Sequence, residues 1–89
     1  MPVLVHLPGP LAPYAGGQAR VSLPEARTVG EALAALPPGV RDRVLDEQGR
    51  VRPHVNVFVG ADSIRETGGL QTTLGAGSEV HIIAAVSGG

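Results

Sequence analysis

The chain of 89 residues has no cysteine, no lysine and no tryptophan, and only two aromatic side chains, Tyr14 and Phe58. Each absence removes a class of function. Without cysteine there is no disulfide, no thiolate zinc site and no thiol nucleophile. Without lysine a phosphate loop of the GxxxxGK[ST] kind is impossible, and all seven cations are arginine. Two aromatics do not make a stacking platform for bases. A formal net charge of −1 lacks the basic footprint that nucleic acid or an anionic membrane attracts. No apolar run approaches the roughly 20 residues that cross a bilayer. The opening MPVLVHLPGP has neither the basic nor the long apolar region of a secretory leader. The expectation is a cytoplasmic protein that engages neither nucleic acid nor membrane.

What is present reads as one small globular domain. The composition is 43% hydrophobic and 17% charged, which argues against disorder. A chain of this size buries roughly 60–65% of its unfolded surface, so it folds alone with a thin margin. VLVHL (Val3–Leu7) reads as a first strand and QARVSL (Gln18–Leu23) as a second, joined by the Pro- and Gly-rich loop GPLAPYAGG. TVGEALAAL reads as the main helix. Thr28 and Glu31 form a capping box, and Val29, Leu33 and Leu36 make one apolar stripe. Pro37–Gly39 should stop it, and VRDRVLDEQG predicts a further turn or two with Val40, Val44 and Leu45 facing inward. HVNVFV (His54–Val59), a short strand near Ser63–Arg65 and EVHIIAA (Glu79–Ala85) complete the order β-β-α-β-β-β. One main helix packed on one face of a mixed sheet is an α+β roll, with the apolar last strand at its centre. The domain is expected to take residues 1–84, with 85–89 as a flexible tail ending in Gly-Gly.

This order, with VNVFV, then TGGL, then GSEVHIIAAVSGG at the terminus, resembles the ubiquitin-like β-grasp sulfur carriers. That family includes the small subunit of molybdopterin synthase and the thiazole-pathway carrier. His54–Gly89 looks closest to its branch on the thiocarboxylate route to cysteine. One departure is Ala84-Ala85, which stand where many members carry Pro-Pro. The resemblance implies that the reacting group is the carboxylate of Gly89, adenylated by an E1-like partner and then converted to a thiocarboxylate. Val86, Ser87 and Gly88 would be the tail that presents it. ATP and a sulfur donor would act through the partner, with no cofactor bound by the chain itself. A sulfur-accepting synthase would be the second partner. On this reading the chain is a co-substrate, not an enzyme, and is a monomer when free. The alternatives are the small, sulfur-carrying subunit of molybdopterin synthase, a thiazole or tRNA sulfur carrier, a ubiquitin-like protein modifier, or an interaction module with an inert tail.

Glycine at both final positions has a steric reason: with no Cβ, a tail can enter a narrow channel and adopt backbone angles closed to other residues. Strand alternation turns Val3, Val5, Leu7, Val55, Val57, Val59, Val80 and Ile82 toward the helix. In the family's strand order Leu4, His6, Phe58, His81 and Ile83 then share an open sheet face, the kind of apolar patch that marks a docking surface. Arg65 is a further candidate for partner contact. His6, His54 and His81 show no ligand-pair spacing and no thiolate lies near them, so no metal is expected. Gly68-Gly69 and Gly75-Ala76-Gly77 read as tight turns, because no strand-to-helix step surrounds them as a phosphate loop requires.

Overall fold

The final strand takes the middle of the sheet, the position its apolar sequence predicts. In the computed structural model, which describes residues 2–84, the strands are β1 (Val3–His6), β2 (Arg20–Leu23), β3 (Val55–Val59), β4 (Asp62–Ser63) and β5 (Glu79–Ala84). They lie in the order β2-β1-β5-β3-β4. β1 and β5 pair in parallel, and the other three pairings are antiparallel. The helices are α1 (Val29–Ala34), α2 (Pro38–Val44) and α3 (Ile64–Thr67), with 3-10 turns at Gly9–Ala15 and Gly69–Gln71.

Local chemistry explains α1. Thr28 is extended, and its hydroxyl accepts from the Glu31 amide at 3.2 Å. The Glu31 carboxylate returns to the Arg27 amide at 3.0 Å, one residue before the cap. Two otherwise unpaired amides are thereby satisfied. The predicted stripe of Val29, Leu33 and Leu36 is buried.

Three elements differ from the sequence expectation. α2 is the further turn or two expected, but it starts at Pro38, inside the segment read as a stop, and at seven residues it matches the six of α1. Pro38 explains it: the proline that cannot continue α1 is suited to the first turn of the next helix. Val40 and Val44 are fully buried, while Leu45 is only partly so. The loop GPLAPYAGG contains a 3-10 helix, because Pro10 presets its first turn and Leu11 is buried in the core. The strand expected near Ser63–Arg65 is shorter. β4 ends at Ser63, whose hydroxyl accepts from the Arg65 amide, and buried Ile64 begins α3. Gly60, at φ +59, is the first central residue of the two-residue turn between β3 and β4, a position that favours glycine.

The core lies between the sheet and its helices. Val3, Val5, Val55, Val57, Val80 and Ile82 from the strands meet Val29, Ala32, Leu33, Leu36, Val40 and Val44. Val59, expected inside, is only partly buried. The other face of the sheet is left open to solvent, and this asymmetry positions the site.

Candidate functional site

Alternation along three neighbouring strands builds the open face. Leu4 and His6 come from β1, Phe58 from β3, and His81 and Ile83 from β5. Leu4, His6, Phe58 and His81 are half-buried, and Ile83 is 51% exposed. The register sets His6 opposite His81, and His81 opposite Phe58. His6, Phe58, His81 and Ile83 line one shallow depression. The five residues that the sequence assigned to one face do lie together on it.

Arg65 does not join them. It sits on α3, where its guanidinium donates to the Pro53 carbonyl at 3.4 Å. It lines a separate pocket with Val57, Ile64 and Leu70. The reason is the early end of β4: a strand residue would have faced the sheet surface, whereas a helical one turns away with its own element.

The two outer histidines are closer than their positions in the chain suggest. The rings of His6 and His81 stack with centroids 4.4 Å apart and planes 6° from parallel. His6 Nε2 lies 2.6 Å from Glu79 Oε1. Glu79 is a residue that the sequence reading passed over. The signal for it was available, since residues 79 and 81 of one strand point to the same side. Ligand spacing along the chain missed the group because it forms across strands. His54 lies elsewhere, in a groove with Tyr14, Arg43, Arg52 and Ala84.

That groove opens at the end of β5. The Arg43 guanidinium lies 3.6 Å from the centre of the Tyr14 ring, a cation–π contact. Arg52 donates twice to the Asp42 carbonyl, at 2.9 and 3.1 Å. Beyond Ala84, the tail residues Val86, Ser87, Gly88 and Gly89, and with them the expected 85–89 segment, lie outside the described residues. The glycine pairs read as turns are turns: Gly68, at φ +119, closes α3, and Gly77 has φ +77 in the bend before β5. No helix among the described residues is long and apolar enough to cross a membrane.

Comparison with known proteins agrees with this architecture. The ThiS family model matches residues 5–89. The sulfur carrier protein CysO of Mycobacterium tuberculosis is 35% identical over 94 residues, covering 100% of both chains. Its crystal structure superposes with a TM-score of 0.85 at 34% identity, covering 94% of this chain and 99% of that one. The BexX/CysO complex of Amycolatopsis orientalis contains a chain with a TM-score of 0.84 at 28% identity, covering 98% and 99%. Small archaeal modifier protein 1 of H. volcanii has a TM-score of 0.80 at 28% identity, covering 96% and 98%. The fold is the ubiquitin-like β-grasp.

The chain belongs to the ThiS family, which places it among small protein carriers and not among enzymes.

Proposed function

We propose that this chain is a sulfur carrier whose Gly89 carboxylate is activated by an E1-like adenylating enzyme and converted to a thiocarboxylate, with cysteine synthesis as the receiving pathway. The observation that carries the reading is the family match, which runs through residue 89 and so includes the terminal Gly-Gly.

The chemistry follows from the terminal group. A C-terminal carboxylate has a pKa of about 3.3–3.7 and is a poor electrophile at neutral pH. Attack of a carboxylate oxygen on the α-phosphorus of ATP forms an acyl adenylate and releases pyrophosphate. A sulfide-level donor then attacks the carbonyl carbon, AMP leaves, and the thiocarboxylate remains as a soft nucleophile. Both reactants arrive through the partner enzyme. The carrier contributes a tail end without Cβ atoms and a chain with no thiol or lysine amine to intercept its own activated carboxyl. The open face of Leu4, His6, Phe58, His81 and Ile83 is the surface on which the partner docks.

Intact mass of the protein from its own cells, under mild conditions, tests the proposal. The expected result is the gain for exchanging one oxygen for sulfur, localised to Gly89. If the isolated chain is unmodified, ATP, sulfide and the candidate activating enzyme are added. Failure of Gly89 to gain either AMP or sulfur then overturns the reading. Gly88→Ala should fold normally and load poorly. Loading at the wild-type rate would remove the steric argument for the tail.

A second reading draws on the likeness to small archaeal modifier protein 1: Gly89 joined to lysines of target proteins. Covalent adducts of the chain in cell extract distinguish it from free carriage.

A further inference from the structure

Two imidazoles and a carboxylate converge on the open face. The side-chain ligand atoms of His6, Glu79 and His81 all lie within 4.8 Å of one another. They come from β1 and β5, neighbouring interior strands held in parallel register by Leu4↔Glu79 and His6↔His81. The backbone beneath the cluster is therefore rigid. The side chains above it are not locked: the His6 side chain is 26% exposed and that of Glu79 52%.

We propose that His6, Glu79 and His81 form a binding site for a divalent transition-metal ion of the imidazole-preferring class, such as Zn²⁺ or Cu²⁺. Two neutral imidazoles and one carboxylate are the donor set that zinc uses when one position stays open, and imidazole suits zinc, copper and nickel. Bonds of about 2.0–2.2 Å to each donor need the more widely spaced donor atoms to close in, and the hydrogen-bonded pair His6 Nε2 and Glu79 Oε1, at 2.6 Å, to part. The stacked rings must also splay, because nearly parallel rings hold their lone pairs in separate parallel planes that do not meet at one ion. These movements are rotations of partly exposed side chains and leave the core untouched. The remaining coordination position faces solvent. Arg20, exposed and paired with His6 across β2 and β1, is the neighbouring cation in the same row. The site does not depend on the carrier reading, since it uses none of the tail.

The full-length protein is titrated calorimetrically with Zn²⁺ and, separately, Cu²⁺, with Mg²⁺ as a hard-cation control. One equivalent of Zn²⁺ should bind saturably, Cu²⁺ more tightly, as the Irving–Williams order requires, and Mg²⁺ not at all. His6→Ala and His81→Ala should each weaken Zn²⁺ binding by about tenfold or more, the lower end of what even outer-shell partners cost, and Glu79→Gln should weaken it less. His54→Ala should leave it unchanged. Imidazole NMR resonances of His6 and His81 should shift on addition of Zn²⁺ while those of His54 stay in place. Urea midpoints of the variants establish that each is folded. Absence of saturable binding overturns the proposal. So does binding that survives both His6→Ala and His81→Ala, or that is lost in His54→Ala.

Discussion

Ile82 and Ile83 are adjacent, chemically identical and on opposite sides of β5. Ile82 is 3% exposed and Ile83 51%. The inner side of this strand belongs to a core of valines, leucines and Ala32, a surface that demands only apolar volume and good packing. The outer side carries Glu79, His81 and the exposed Ile83, in a defined register with His6 and Phe58 on the flanking strands. The contrast separates two kinds of requirement. The covered face holds the fold together. The open face adds little to that, and its particular side chains are free to serve recognition.

The comparison is broken most directly by truncating each isoleucine in turn. Ile82→Ala should cost about 2–5 kcal/mol, the range for deleting a buried aliphatic side chain, read as a lowered urea midpoint. In a chain this small such a loss is a large part of a total stability of about 5–15 kcal/mol. Ile83→Ala should cost less than about 1 kcal/mol, the span of strand propensity. Equal losses at the two positions would mean that the open face is part of the core.

The opposite experiment keeps the fold and removes recognition. Ile83→Glu should leave the urea midpoint nearly unchanged and weaken binding to the activating enzyme by about tenfold, or ~1.4 kcal/mol, measured as Kd by calorimetry. Undiminished affinity would move the docking surface elsewhere, and the groove of Tyr14, Arg43 and Arg52 would be the next to probe.

The smallest effect is expected away from both faces. The Asp46 carboxylate accepts from the Arg50 and Gln48 amides, each at 2.9 Å. The Arg50 amide bond is the main reason its pKa lies below the ordinary aspartate value of 3.8, with the Gln48 amide and the Arg50 and Arg52 charges adding to it against a partial desolvation. A lowered pKa means that the ionised group supports the fold above the unfolded value, and that this support is lost as pH falls through the folded one. The stability difference between wild type and Asp46→Asn should therefore be slight but present at neutral pH, and should vanish on acidification below 3.8. A difference that persists in strong acid would point to the shape of the turn and not to the charge.

Residues whose fate depends on near neighbours were legible. The Thr28–Glu31 cap, the stripe of Val29, Leu33 and Leu36, and the two-sidedness of β1 and β5 follow from hydroxyl chemistry and from periods of 3.6 and 2. These patterns act within a few residues, so a linear reading contains them. The central place of β5 was legible as well, because the middle of a sheet suits its apolar sequence. Proline and glycine were harder. Pro10 and Pro38 read as breakers, yet each starts a helical turn, since the same fixed φ that ends one helix can begin another. Buried Leu11 and Val40 draw those turns onto the core.

By itself, then, the sequence determined the covered face and the cap of α1, both of them written in local pattern. Only the tertiary structure decided that His6 stacks on His81, that Glu79 reaches His6 across 73 positions of chain, and that Arg65 turns away on α3. Those outcomes depend on which strands become neighbours and where one strand stops. Strand neighbours are chosen by the packing of the whole core, so no short window of residues contains that choice.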